Sequence, residues 1–331
     1  MKALAASLGD PAGIGPELLC AAWARRAAEG LPPFFAVGGA RLIEQAAKAR
    51  GLAVRVASIS DPAQAAEAFA DGLPVLGAMD APYAPGKPDR RGAELALASL
   101  TQATALAIEG KAAGVVTGPI SKALLADVGF AFPGQTEFLA HACGVAEEDA
   151  VMMLAGPQLR TVPITVHCPL AEVPGRLSIA LIAARSRIVA ASLRSDFGIA
   201  SPRLAIAALN PHAGEGGRFG DEEARIIAPA IETLRAEGVD ATGPHPADAL
   251  FAPHARDGYD AAICMYHDQA LIPLKALDFD AGVNMTLGLP IIRTSPDHGT
   301  AFAIAGTGKA DPGATIAAIR MAGEASAQRL A

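Results

Sequence analysis

The chain has 331 residues, 51% hydrophobic and 18% charged, and carries a formal net charge of −7. That length exceeds what one hydrophobic core usually organises, so two domains are expected, and the apolar content excludes intrinsic disorder. Lys and Arg are scattered through an acidic chain, which argues against a nucleic-acid or anionic-membrane partner.

In chain order, Lys2 to Leu8 reads as a strand followed by a Gly/Pro turn and a helix through about Glu29. The apolar stretch at the start is too short for a signal sequence or a membrane span, so a cytoplasmic location is expected. Phe34 to Val37 is a strand before a helix from Arg41 to Arg50, and Val54 to Ile59 and Val75 to Leu76 are further strand candidates. The Pro-rich stretch 81–88 connects to an Ala/Leu helix of about Gly92 to Glu109, and Gly114 to Pro119 is a strand and turn. The middle third predicts a hairpin from Val151 to Val166, a helix near Leu177 to Leu193, a strand ending before His212 and a helix from Asp221 to Glu237. A strand before His267, an extended stretch from Gly282 to Thr294 and a closing helix from Pro312 to about Arg329 complete the pattern. This alternation specifies α/β domains with largely parallel sheets. Cys20, Cys143, Cys168 and Cys264 are dispersed through core-like segments and form no disulfide framework.

Three histidines, His167, His212 and His267, each stand where an apolar run gives way to polar or Gly-rich sequence. Short apolar runs ended this way are buried strands, and open α/β sheets place ligands at the carboxyl edge of their strands. Imidazole is the commonest ligand for a divalent transition metal, so three such strand ends could build a catalytic metal site; solvated or hydrogen-bonded histidines are the plainer alternative. Cys168 adjoins His167, but neighbouring residues of a strand point to opposite faces, and it is left out of the ligand set.

Several loops carry further chemistry. Ser7 to Glu17 is Gly-rich yet has neither the Gly-x-Gly-x-x-Gly dinucleotide fingerprint nor a P-loop. Asn210 to Glu223 places His212 in a glycine-rich loop ahead of an acidic helix start. Lys275, Asn284 and Arg293 follow His267 at intervals and together suit an anionic phosphate or carboxylate. The segment Asp297 to Pro312 is a Gly-rich loop that ends at a helix start.

Taken together, Gly9-Asp-Pro-Ala-Gly-Ile-Gly-Pro-Glu17, Thr117-Gly-Pro-Ile-Ser-Lys122, Asn210-Pro-His-Ala-Gly-Glu215, Tyr266-His-Asp-Gln269, Asn284-Met-Thr-Leu-Gly288 and Asp297-His-Gly-Thr-Ala301 resemble the 4-hydroxythreonine-4-phosphate dehydrogenase family. The resemblance runs the length of the chain, in order. The first loop and the 297–312 loop are also similar to the isocitrate and isopropylmalate dehydrogenase superfamily. The resemblance implies two α/β/α domains with a cleft between them, one of residues 1–135 plus 295–331 and the other of 136–294, the second carrying metal ligands and a dimer interface.

It further implies oxidation of 4-phosphohydroxy-L-threonine at C3 with NAD or NADP, then decarboxylation to 3-amino-2-oxopropyl phosphate, in pyridoxal 5'-phosphate (vitamin B6) biosynthesis. One divalent ion (zinc, magnesium or cobalt) would be held by His167, His212 and His267 at a site shared between the subunits of a homodimer. Such an ion lowers the alcohol pKa and polarises the ketone that follows. Substrate contacts would fall on Gln135, Thr136, Lys275, Asn284 and Arg293, catalytic roles on His212 and Lys275, and cofactor contacts on His298, Gly299 and Gly306. Of Asp248 and Asp268, either could orient a histidine ligand. One departure stands out: the family commonly has histidine where this chain has Gln135, and glutamine does not ionise near neutral pH. The alternatives are a related dehydrogenase of a phosphorylated sugar acid such as 4-phospho-D-threonate, and a metal-dependent hydrolase or lyase.

Overall fold

The computed structural model describes residues 2–331 and divides into two compact units, Met1–Glu147 with Leu289–Ala331 (unit 1) and Glu148–Gly288 (unit 2). Among the described residues the strands are Leu4–Ser7 (β1), Phe34–Val37 (β2), Val56–Ile59 (β3), Leu73–Leu76 (β4), Val115–Thr117 (β5), Val151–Ala155 (β6), Arg160–Pro163 (β7), Arg203–Ala207 (β8), Asp240–His245 (β9), Ala261–Cys264 (β10), Val283–Leu287 (β11) and Arg293–Pro296 (β12). The helices that position the candidate residues are Gly15–Ala24 (α1), Arg90–Ile108 (α2), Gln135–Ala142 (α3), Ile179–Phe197 (α4), His267–Asp278 (α5) and Gly313–Leu330 (α6). Relative to the boundaries expected from sequence, unit 1 also takes in α3, with Thr136, and Arg293 of β12.

In unit 1 the strands lie in the order β3-β4-β2-β1-β5-β12, and every pairing is parallel. β1, β2, β4 and β5 are buried along their whole length, which is why they read as largely apolar runs such as Phe34-Phe35-Ala36-Val37 rather than as alternating patterns, whereas β12, Arg293-Thr-Ser-Pro296, is equally buried but polar. Only β3, at the edge, is part-exposed. α2 lies on β1 and β2 and is tied to both by one buried hydroxyl: Ser99 Oγ donates to the Val37 carbonyl at 2.7 Å and accepts from the Leu8 amide at 3.0 Å. Beyond β1 and β5 the chains pass so closely that a Cβ on Gly9 would lie 2.4 Å from the Pro119 carbonyl oxygen, so the first loop needs glycine there, at φ +69°.

Unit 2 contains the expected hairpin, β6 antiparallel to β7, with β11 antiparallel on the outer side of β6. From β7 onward the order β7-β10-β8-β9 is parallel throughout. Sequence periodicity does not reveal β9, because Asp240-Ala-Thr-Gly-Pro-His245 contains Gly and Pro, residues that a sheet tolerates at its edge, where β9 lies. No helix of the described residues is long and apolar enough to cross a membrane.

Replacing Ser99 with Ala strands two buried backbone groups, the Leu8 amide and the Val37 carbonyl. Urea unfolding of Ser99→Ala should show a loss of about 1–3 kcal/mol; an unchanged midpoint would show that the hydroxyl does not tie the helix to the sheet.

Candidate active site

Because β7, β10 and β8 are parallel and paired in register, their carboxyl ends face one edge of unit 2. His267 opens α5 three residues beyond β10, His167 follows β7 by four residues, and His212 follows β8 by five. His167 and His267 line one pocket of about 310 Å³ with Tyr266, Asp268, Cys168 and Leu170. Their ring centres are 6.2 Å apart. Two imidazoles on one tetrahedral ion have centres roughly 5 Å apart, so a small side-chain rotation brings both onto a shared ion.

Of the two carboxylates considered from sequence, Asp268 is the one beside a histidine: its Oδ1 lies 2.6 Å from His267 Nδ1. That contact holds the proton on Nδ1 and leaves Nε2 as the ligating nitrogen. Cys168 lines the same pocket despite its exclusion on strand alternation, because β7 ends at Pro163 and the alternation ends with it.

His212 is placed differently. Its ring is exposed and packs against Phe219 at 6.2 Å between centres. It sits in a turn, 211–217, whose residues His212, Ala213, Gly214, Glu215 and Gly216 all have positive φ. Among the described residues no three His, Cys, Asp or Glu side chains are grouped so that they could hold a metal ion within one chain. The three predicted ligands are thus two together and one apart.

Two buried polar side chains, unassigned from sequence, set these positions. Gln269 accepts from the Met265 amide at 2.7 Å and donates to the Ala208 carbonyl at 2.7 Å, tying the turn that carries His267 to the end of β8. Glu223 accepts from the backbone amides of Leu209 and Asn210 at 2.9 and 2.8 Å and from Asn210 Nδ2 at 3.0 Å, anchoring the base of the His212 turn. Elsewhere in unit 2, Lys275 is half-buried near the end of α5, and Asn284 stands on β11 with a buried Oδ1 that has no hydrogen-bond partner among the described residues.

In unit 1, Arg293 at the start of β12 is 4% exposed. Its Nη2 donates to Thr117 Oγ1 and to Gln135 Oε1, both at 2.8 Å. Burial lowers the guanidinium pKa to about 10, the Glu137 carboxylate opposing the shift, so the side chain stays charged at neutral pH. Gln135 and Thr136 open α3, both half-buried.

The 297–308 segment packs on the first loop. The Ile14 amide donates to the Thr300 carbonyl at 3.0 Å, and Ile14, Leu18, Ala305 and Ala310 form a buried cluster. Gly306 has φ +73°, and a Cβ there would lie 2.6 Å from Pro85 Cγ, whereas a Cβ on Gly299 would meet open space. His298 Nδ1 lies 3.1 Å from the Gly299 carbonyl and so carries the proton, leaving Nε2 an acceptor that is buried without a partner among the described residues. Burial holds the His298 pKa below the usual histidine value.

If Glu223 anchors the His212 turn, Glu223→Leu removes the acceptor for three donors. The variant should lose roughly 2–3 kcal/mol of stability and be cleaved faster by protease within 211–217; wild-type stability and cleavage would refute the anchoring role.

Residues 31–322 match the family model described as pyridoxal phosphate biosynthetic protein PdxA. The 4-hydroxythreonine-4-phosphate dehydrogenase of Erythrobacter litoralis is 63% identical over 99% of this chain and 98% of its own length. Among solved structures, the 4-hydroxythreonine-4-phosphate dehydrogenase of Klebsiella pneumoniae is similar with a TM-score of 0.86 and 39% identity over 98% of each chain. The terephthalate 1,2-cis-dihydrodiol dehydrogenase of Burkholderia xenovorans is similar with a TM-score of 0.66 and 30% identity over 97% of each chain. With the family model covering most of its length, the chain belongs to the PdxA family of pyridoxal phosphate biosynthetic proteins.

Proposed function

We propose that this protein is a divalent-metal-dependent, NAD- or NADP-linked dehydrogenase that oxidises 4-phosphohydroxy-L-threonine at C3, with loss of carbon dioxide to give 3-amino-2-oxopropyl phosphate, as a cytoplasmic homodimer. The observation that carries the reading is the pairing of His167 and His267 in one pocket, with Asp268 fixing the tautomer that presents His267 Nε2. Neutral imidazole donors fit zinc, cobalt or another divalent ion. The separate position of His212 supports a site shared between two copies, His167 and His267 from one and the third ligand from the other. When bound, the ion supplies Lewis acidity at the substrate hydroxyl and at the ketone formed from it.

The remaining roles follow from chemistry in the chain. Arg293 offers a buried guanidinium whose positive charge suits the phosphate. Asn284 Oδ1 is an acceptor suited to a substrate ammonium or hydroxyl. Thr136 supplies a hydroxyl at the start of α3, and Lys275 an amine for proton transfer or for holding the phosphate or carboxylate. For the dinucleotide, His298 Nε2 is an acceptor suited to a ribose hydroxyl, and the open space at Gly299 and tight turn at Gly306 fit a backbone that closes on a nucleotide. A second reading, a related dehydrogenase of a phosphorylated sugar acid such as 4-phospho-D-threonate, is favoured by Gln135.

Nicotinamide reduction with 4-phosphohydroxy-L-threonine should require a divalent ion and stop on chelation. His212→Ala should lower kcat/KM at least ~100-fold and weaken metal binding while the fold is retained by circular dichroism; undiminished turnover would refute the ligand assignment. Assayed side by side, the wild type should prefer 4-phosphohydroxy-L-threonine over 4-phospho-D-threonate, and the reverse preference would move the substrate to the second reading.

A further inference from the structure

We infer that Gln135 is a positioning residue for Arg293, acting on the anionic end of the substrate through the guanidinium rather than by its own contact or by proton transfer. The inference rests on the reading of Arg293 as the phosphate-binding group. Both ends of the Gln135 amide are already engaged within unit 1. Oε1 accepts from Arg293 Nη2 at 2.8 Å, and Nε2 donates to the Gly118 carbonyl at 2.9 Å. The amide orientation is therefore fixed, since a flipped amide would set its NH2 against the guanidinium and its oxygen against a carbonyl.

Thr117 Oγ1 is the second acceptor on the same Nη2. Two acceptors on one nitrogen fix the plane of the guanidinium and take both Nη2 hydrogens, so an anion is met through Nη1 in that plane rather than through a fork that includes Nη2. Both acceptors are neutral. They offset part of the cost of burying Arg293 without an ion pair at Nη2, the Glu137 carboxylate also favouring the charged form, whereas a carboxylate at 135 would form an ion pair and compete with the phosphate. An imidazole at 135 would lose its acceptor nitrogen on protonation and then face the guanidinium as a second cation. Glutamine keeps the same bonds through the pH range in which histidine titrates.

The test is a double-mutant cycle read by two measurements, inorganic phosphate binding by calorimetry and steady-state turnover. Gln135→Leu should weaken phosphate binding roughly tenfold or more and raise KM by a similar factor, with kcat within about twofold. Gln135→Glu, which keeps side-chain size and the acceptor for Arg293 but sets an oxygen against the Gly118 carbonyl, should weaken phosphate binding further than Gln135→Leu. In an Arg293→Lys background, Gln135→Leu should add almost nothing, because the group it orients is gone. Equal effects of Gln135→Leu in the two backgrounds, or phosphate binding unchanged by it, would overturn the inference. Absence of turnover with 4-phosphohydroxy-L-threonine while the phosphate cycle behaves as described would instead overturn the proposed substrate and leave the role of Gln135 standing.

Discussion

Parallel pairing of β7, β10 and β8 is the constraint on which the histidine site depends. Parallel strands end on the same edge, and a residue a few positions past each end is delivered there whatever the separation in sequence. His167, His212 and His267 are tens of residues apart in the chain yet leave unit 2 from that one edge. A one-residue slip would turn every side chain of a strand to its other face. Because β7, β8 and β10 are buried on both faces, such a slip would force every buried side chain of the strand to repack, which holds the register.

Delivery to an edge does not set geometry; buried polar contacts do. Gln269 joins the turn bearing His267 to the end of β8, and Glu223 collects three donors below the His212 turn. Arg293 is held in unit 1 by Thr117 and Gln135 in the same manner. Each is a group that would be costly to leave unsatisfied, so each rigidifies the candidate residue beside it. The exposed ion pairs elsewhere, such as Arg176 with Glu172, contribute little by comparison.

Much of this was legible in the sequence where local pattern determines the outcome. Continuous apolar runs mark the buried strands β1, β2, β4 and β5 of unit 1, though not the polar β12, and abrupt endings of such runs mark the three histidines. The hairpin at β6 and β7 was legible too. What was hidden depends on partners distant in the chain: nothing local indicates that Gln269 meets Ala208, or that Gln135 meets Arg293, 158 residues away. The His212 turn was half legible, since its glycines signal a left-handed path, but His212, Ala213 and Glu215 adopt positive φ without that signal. β9 was masked by the Gly and Pro that an edge strand can tolerate.

The central claim is that His212 of one copy completes the site begun by His167 and His267 of another. Subunit complementation tests it most directly. His212→Ala and His267→Ala proteins, each inactive alone, would be unfolded together, refolded and assayed with metal, nicotinamide cofactor and substrate. If the site is shared, each mixed dimer regains one intact site, and random pairing restores about a quarter of wild-type activity. If all three ligands act within one chain, the mixture stays as inactive as its components, and the shared site is contradicted.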